Sequence, residues 1–169
     1  MAGLNFPVSA VYHPYRQEKT NLAPFELIPW VLGQCSNITE VKDLLKHMNL
    51  IEEHFSKELP LSPLHWIISD REASITVESV KEGLKVYDNP VGVLTNNPGF
   101  DYQLFNLNNY MSLSVDTPDN LFSKDLDLAI YSRGMGAMGM PGDLSSMSRF
   151  VKASFTKMNS LSGDSESES

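Results

Sequence analysis

The middle of the chain alternates polar and apolar residues with the two-residue period of a β-strand. In residues 74–78 (SITVE) every second side chain is apolar, and successive side chains of a strand point to opposite faces of a sheet, so this pattern predicts a half-buried strand. Short apolar runs lie around it at 65–69, 84–87 and 91–95, separated by candidate turns at 70–72, 81–83 and 88–90. We therefore predict a meander of four antiparallel strands.

Two apolar stripes with helical spacing precede this meander. The first comprises Ile28, Val31, Leu32 and Cys35, and the second comprises Val41, Leu44, Leu45 and Met48. Spacings of three and four residues predict an α-helix for each stripe. Asn21 is a candidate cap for the first helix, Pro24 suits its first turn, and Pro29 is expected to kink it or mark its start. Asn37, with Glu40 three residues later, resembles a capping box for the second helix.

Helical spacing returns after the meander. Leu104, Leu107 and Met111 predict one helix, and the apolar face of residues 145–158 predicts another. Between them, residues 114–133 are expected to be irregular or weakly stranded, and residues 134–142, which hold four glycines, are expected to form a flexible loop. Helices on both sides of an antiparallel meander indicate the α+β fold class.

An excess of acidic residues excludes several classes of partner. Thirteen Lys and Arg residues oppose 21 Asp and Glu, for a net charge of −8, and such a chain repels nucleic-acid phosphates. No stretch reaches the about 18 apolar residues that span a bilayer, and the N-terminus lacks the basic-then-apolar order of a signal peptide. A single cysteine is typical of a reducing compartment. We expect a soluble, cytoplasmic protein with no nucleic-acid or membrane partner.

Most residues able to carry chemistry have a structural interpretation. Cys35 is the only thiol, but on the apolar face of the predicted first helix a free cysteine behaves as a small buried hydrophobe. His65 precedes Trp66 in an apolar strand and is expected to be a hydrogen-bonded core histidine. The other histidines lack metal-ligand spacing, and no Gly-Lys-Ser/Thr triplet follows the glycines of 134–142. We predict no metal site, no phosphate loop and no cofactor.

Two features leave a functional interpretation open. Asn96 and Asn97 end an apolar run just before Pro98, and their amides could donate hydrogen bonds to a developing oxyanion. An ordinary Asn-Pro turn is the alternative, and this segment alone favours it. Arg149 lies in the predicted last helix, which follows the glycine loop. A surface or ion-paired arginine is the alternative there.

Taken together, six segments in register resemble the choloylglycine hydrolases, the family of bile salt hydrolases and penicillin V acylases. They are residues 1–7 (MAGLNFP), 25–30 (FELIPW), 64–66 (LHW), 88–98 (DNPVGVLTNNP), 105–110 (FNLNNY), and 139–143 with 148–150 (GMPGD and SRF). Each segment is weakly specific by itself. Their common order along essentially the whole chain makes the resemblance specific.

This resemblance implies an N-terminal nucleophile hydrolase with a four-layer αββα sandwich of antiparallel sheets flanked by helices. In that family a cysteine at the mature N-terminus attacks an amide, and its own α-amino group serves as the base. Methionine occupies position 1 here, so the nucleophile is expected upstream of Met1. Residues 1–161 are then the central part of one domain truncated at both ends, followed by an acidic, serine-rich tail at 162–169 that is expected to be disordered.

The resemblance also assigns roles to five residues. Asn96 would supply a side-chain amide to the oxyanion hole, with Asn5 as its partner. Arg149 would lie near the nucleophile and tune its charge. Phe55 and Leu59 align with a loop that packs on the hydrophobic acyl or steroid face of the substrate, although ordinary packing of that loop is an equal alternative.

Asn5 bears on the substrate as well, because penicillin V acylases tend to carry tyrosine at this position and bile salt hydrolases asparagine. The expected reaction is hydrolysis of the amide that joins a bile acid to glycine or taurine, without a cofactor. Two alternatives remain: penicillin V or another N-acyl amide as the substrate, and a fragment without catalytic activity. The resemblance implies a homotetramer for the longer protein, and the isolated chain is expected to be inactive.

Overall fold

Six strands and four α-helices make up the computed structural model, which describes residues 1–161. The strands are β1 Ala2–Asn5, β2 Thr20–Leu22, β3 Met48–Leu50, β4 Leu64–Ser69, β5 Ser74–Val80 and β6 Gly83–Asp88. The helices are α1 Leu27–Leu32, α2 Ile38–Leu45, α3 Phe100–Asn106 and α4 Ser146–Asn159. An antiparallel sheet has the strand order β1-β4-β5-β6, and β2 pairs with β3 in parallel.

The predicted meander is confirmed for β4, β5 and β6, but its fourth strand is wrong. Residues 91–95 form no strand, and β1 pairs with β4 instead, with Ala2 opposite Ile67. The reason lies in Asn89, whose Oδ1 accepts from the Gly92 N–H at 2.8 Å and whose Nδ2 donates to the Val93 carbonyl at 2.9 Å. These bonds engage backbone groups that a sheet ladder would need, so the run forms a turn.

The central strand β5 is buried on both faces, whereas its alternation predicted a half-buried strand. Ile75 and Val77 pack with α1, α2 and β4 in one apolar core. The opposite face presents Thr76 and Glu78, which are also buried. Helices α3 and α4 enclose a second core around Phe100. The two-residue period of β5 therefore distinguishes a buried apolar face from a buried polar face. It does not distinguish a core face from a solvent-exposed face.

The first two helices are confirmed, but both are shorter than predicted. Helix α1 ends at Leu32, so Cys35 lies beyond it and packs half-buried against the first core. Helix α2 ends at Leu45, and Met48 begins β3. Asn21 is not a cap: it lies in β2 and accepts from the Asn49 amide at 2.8 Å. Met48, which helical periodicity placed in the second helix, and Asn21, the candidate cap, thus both belong to paired strands.

Other capping and periodicity predictions are confirmed. Asn37 accepts from the Glu40 N–H at 3.0 Å and caps α2. Helix α4 begins after Ser145, whose side chain accepts from the Ser148 N–H at 3.3 Å. The predicted helix around Leu104 is α3, followed by a 3₁₀ turn at Leu107–Tyr110.

The remaining segments follow the predictions in part. Residues 114–133 contain no helix or strand, and residues 134–142 contain a short 3₁₀ turn at Met135–Ala137. The predicted disordered tail, 162–169, lies outside the described residues. Within residues 1–161 no helix is long and apolar enough to cross a membrane.

Candidate active site

Three of the predicted site residues meet at one edge of the larger sheet. The Asn96 side chain donates from Nδ2 to the carbonyl oxygen of Asn5 at 2.8 Å. Arg149 Nη2 donates to Asn96 Oδ1, also at 2.8 Å. The three residues are separated by 91 and 53 positions in the sequence, so the fold brings them together. These are three of the five residues to which the resemblance assigned roles, and the structure places them in contact.

The orientation of the Asn96 amide follows from its two neighbours. A guanidinium can only donate, so the amide oxygen must face Arg149, and a carbonyl can only accept, so the amide nitrogen must face Asn5. The nitrogen carries two hydrogens, and one of them is used by the Asn5 carbonyl. The second hydrogen has no acceptor among residues 1–161. An amide held this way is a fixed donor, which oxyanion stabilisation requires.

Different elements hold the three residues. Asn5 is the last residue of β1, and Asn96 lies in the turn that leads to α3. Arg149 lies in the first turns of α4, where its N–H donates to the Ser145 carbonyl at 2.9 Å and its Nε donates to the Leu144 carbonyl at 3.1 Å. Nε and Nη2, two of the three guanidinium nitrogens, are thus held by hydrogen bonds, which restricts rotation of the side chain.

Arg149 is exposed and has no ion-pair partner among the described residues. The sequence had left open an ion-paired arginine, and the structure places it in a hydrogen bond with an uncharged amide instead. Its positive charge is therefore not neutralised by a carboxylate at this edge of the sheet. An uncompensated guanidinium favours negative charge nearby, on a substrate or on a reacting group.

The start of α4 is organised around Asp143. Its Oδ1 accepts from the Ser145 N–H at 2.8 Å and its Oδ2 accepts from the Ser148 hydroxyl at 2.6 Å. Hydrogen bonds from Ser145 and Ser148 to the charged form hold the pKa of Asp143 well below its usual range. The ionised carboxylate thus stabilises the loop-to-helix junction that presents Arg149.

The side chain of Asn5 does not take part in these contacts. It is exposed, and it makes no hydrogen bond with any residue between 1 and 161. Asn5 joins the cluster through its backbone carbonyl. Its side-chain amide therefore stays available as a second donor for a ligand.

Phe55 and Leu59 lie on an exposed loop, at 72% and 53% relative exposure. Phe55 meets Phe25 edge to face, with ring centroids 5.3 Å apart. No hydrogen bond or ring contact of the described residues joins this loop to Asn5, Asn96 or Arg149. The structure thus shows an exposed apolar surface at Phe55 and Leu59 but does not connect it to the amide cluster.

Cys35 does not join the cluster. Its thiol packs against the first core, and burial together with the negative charge of Glu40 raises its pKa. A raised pKa disfavours the thiolate that nucleophilic attack needs. His65 is a core residue as predicted: it is fully buried, its Nδ1 lies 3.1 Å from Glu78 Oε1, and its ring stacks on Phe6 at 4.3 Å. No cluster of potential metal ligands occurs in the described part of the chain.

Sequence reasoning missed two buried polar residues that support the cluster. Gln103 is fully buried in α3, and its side chain bonds to the backbone of the turn that carries Asn96. Glu78 is 1% exposed, and its Oε1 accepts from the Phe100 N–H at 3.0 Å at the start of α3. Glu78 was read as the solvent-facing end of an alternating strand. Gln103 follows Phe100 by three residues, and this helical spacing was a signal that could have drawn attention to it.

Comparisons with known proteins assign the chain to a family. The family model described as linear amide C–N hydrolases, choloylglycine hydrolase family, matches residues 1–169. A bile salt hydrolase/transferase of Lactiplantibacillus plantarum is 64% identical over the whole chain, which covers 52% of that protein. One of Clostridium perfringens is 40% identical over 98% of the chain, or 51% of that protein.

Solved structures give the same result at the level of the fold. Two crystal structures of conjugated bile acid hydrolase variants from Clostridium perfringens superpose with a TM-score of 0.86 at 40% identity. The match covers 93% of this chain and 48% of each of those chains. The chain therefore spans about half the length of the relatives it matches. These matches confirm the α+β fold class and the resemblance of the six segments: the chain belongs to the choloylglycine hydrolase family of linear amide C–N hydrolases.

Proposed function

We propose that a protein carrying this chain hydrolyses the amide that joins a bile acid to glycine or taurine. The observation that carries the proposal is the fixed Asn96 amide, which keeps one N–H free beside an uncompensated arginine. The names of the relatives support the choice of substrate, since several are bile salt or conjugated bile acid hydrolases. No cofactor is needed for this reaction.

The proposed chemistry begins with attack of a cysteine thiolate on the amide carbonyl. The carbonyl oxygen then becomes an oxyanion, to which the free Asn96 N–H donates, with the Asn5 side-chain amide as the second donor. Arg149 acts in two ways in this scheme. It polarises the Asn96 amide by donating to its oxygen, and its positive charge favours the anionic species that form.

The nucleophile in this proposal is not Cys35. Its thiol has a raised pKa and packs on the core beside α1, away from the hydrogen bonds of Asn96. We therefore assign the attack to a cysteine outside residues 1–169. In this proposal residues 1–161 supply the oxyanion donors and the charge of one domain, and the chain alone has no amidase activity.

The apolar part of the substrate requires an apolar surface. Phe55 and Leu59 supply one in our proposal, extended by the exposed ring of Phe25. Such rings suit the rigid hydrophobic face of a steroid, whose anchoring needs only a few polar groups. The homotetramer and the cytoplasmic location expected from the sequence remain predictions.

A substrate comparison tests the proposal. The protein that carries this chain is incubated with glycocholate, taurocholate and penicillin V, and the released amine is quantified. We expect release of glycine or taurine and little cleavage of penicillin V. Preferred cleavage of penicillin V would replace the substrate but keep the family chemistry. The 169-residue chain by itself is expected to release nothing.

A further inference from the structure

The side-chain amide of Gln103 uses every hydrogen it has on the turn that carries Asn96. Its Nε2 donates to the carbonyl oxygen of Asn96 and, at 2.8 Å, to that of Pro98. Its Oε1 accepts from the Thr95 hydroxyl at 2.7 Å. Two carbonyls require a donor between them, so the orientation of the amide is fixed. One buried side chain thus holds residues 95, 96 and 98.

Burial of this amide is costly unless its hydrogen bonds are made. Gln103 is fully buried on the face of α3 that also carries Phe100, where an apolar residue of similar length would avoid the desolvation of two polar groups. None of the side-chain hydrogen bonds of Gln103 ends on α3 itself. They all end on the Thr95–Pro98 turn, so their effect is to fix that turn relative to α3.

The same network extends to the helix of Arg149. The Thr95 hydroxyl lies 3.0 Å from the Ser146 carbonyl and accepts from the Ser146 hydroxyl at 2.9 Å. Ser146 is the first residue of α4, and Arg149 follows three residues later on the same helix. Gln103 and Thr95 therefore connect both partners of the Asn96–Arg149 hydrogen bond.

Helix α3 is a rigid support for this arrangement. The Phe100 N–H at its start donates to buried Glu78 of the central strand, and the Gln103 N–H donates to the Gly99 carbonyl at 3.2 Å. A donor held by a fixed element keeps its geometry better than one held by a loop alone.

We propose that Gln103 is a positioning residue, which acts through Asn96 by holding the turn so that the free Asn96 N–H faces the oxyanion. The proposal rests on the proposed function. Gln103 does not touch the substrate in it. Loss of its hydrogen bonds should lower kcat through misplacement of Asn96 while leaving the apolar contacts that govern KM unchanged.

Kinetics of single and double variants test this role. Gln103→Met removes all three hydrogen bonds at similar volume, and we expect kcat to fall about tenfold to a hundredfold with KM changed by less than about twofold. The double variant Gln103→Met/Asn96→Ala should be no slower than Asn96→Ala alone, because the side-chain amide that Gln103 positions is then absent. Multiplied losses in the double variant would overturn the proposal.

Two further variants separate positioning from general stability. Gln103→Glu keeps the size of the side chain and an acceptor for Thr95, yet it faces the Asn96 and Pro98 carbonyls with an oxygen, so the same loss of kcat is expected. Asn49→Leu is the matched control, since Asn49 is a buried amide that donates two hydrogen bonds remote from Asn96. An equal fall in kcat in Asn49→Leu would overturn the positioning role.

A crystal structure of Gln103→Met gives a readout that does not depend on activity. We expect the Asn96 Nδ2 to Asn5 carbonyl hydrogen bond to be lost or lengthened. If the unmodified protein cleaves no conjugate, the proposed function fails, whereas a displaced Asn96 still supports positioning by Gln103. An Asn96 side chain that keeps both its hydrogen bonds in the variant overturns the inference.

Discussion

Phe100 and Phe150 meet edge to face, with ring centroids 6.0 Å apart, and both rings are completely buried. Phe100 begins the helix that holds the Asn96 turn, and Phe150 directly follows Arg149 on α4. This ring pair therefore sets the spacing between the two helices that orient the Asn96–Arg149 hydrogen bond. Packing in the second core and geometry at the candidate site are linked through it.

Removing the Phe150 ring should destabilise the protein and disturb the site. We expect Phe150→Ala to lower the free energy of unfolding by about 3–5 kcal/mol, because it leaves a cavity beside Phe100. Phe105→Ala is the control: that ring is 74% exposed, and its loss should cost less than about 0.5 kcal/mol. Urea unfolding measures both. Equal effects of the two substitutions would contradict the packing described here.

Arg149 should not be replaceable by lysine. The guanidinium reaches Asn96 and Leu144 from two different nitrogens, a geometry that a single ammonium cannot reproduce. We expect Arg149→Lys and Arg149→Ala to lower kcat by similar factors of about ten or more. Arg71→Ala is the control and should stay within about twofold of the unmodified protein, because Arg71 is exposed in the β4–β5 turn and its side chain makes no hydrogen bond with any of residues 1–161. Full activity of Arg149→Lys would mean that only the charge matters.

Cys35→Ser should leave amide hydrolysis intact. The thiol is half-buried against the core and its raised pKa keeps it protonated at neutral pH, so it offers no nucleophile. We expect kcat within about twofold of the unmodified protein. The measurement is release of glycine or taurine by the two proteins at equal concentration. Abolished activity in a variant that still folds would make Cys35 the nucleophile and overturn the assignment of attack to another cysteine.

Asp143 should make stability depend on pH at acidic values. Its pKa is lower in the folded protein than in the unfolded chain, so its contribution is fully present above the unfolded pKa of about 4 and is lost as pH falls through the folded value. The difference in Tm between the unmodified protein and Asp143→Asn should therefore persist near neutral pH and shrink in strong acid. Thermal unfolding across that range measures it. A difference that grows on acidification would reverse the sign.

Capping residues and apolar periodicity predicted those helices and strands whose local sequence agrees with the observed packing. Asn37 caps α2 as its spacing to Glu40 predicted, α4 follows the apolar face of residues 145–158, and β4 to β6 follow the predicted meander. The apolar run at residues 91–95 is typical of a strand, but the side-chain hydrogen bonds of Asn89 hold it in a turn. Those bonds depend on the three-dimensional turn, which periodicity does not describe.

The contact between three of the five predicted site residues could be anticipated from the sequence, but the residues that support that contact could not. Asn5, Asn96 and Arg149 came from the family resemblance, since no spacing rule links residues so far apart. Gln103 and Glu78 were not predicted as supporting residues, because a single polar residue in an amphipathic pattern is usually assigned to the solvent-exposed face. Only the folded chain shows both to be buried.

The central claim is that Asn96 supplies an oxyanion donor, and the kcat of Asn96→Ala on a conjugated bile acid tests it most directly. Asn159→Ala is the matched control, because Asn159 is an exposed asparagine whose amide, among residues 1–161, donates only to the Phe155 carbonyl of its own helix. The account predicts that kcat falls by about 10²–10³ in Asn96→Ala and stays unchanged in the control. Turnover by a folded Asn96→Ala protein at the unmodified rate would contradict it.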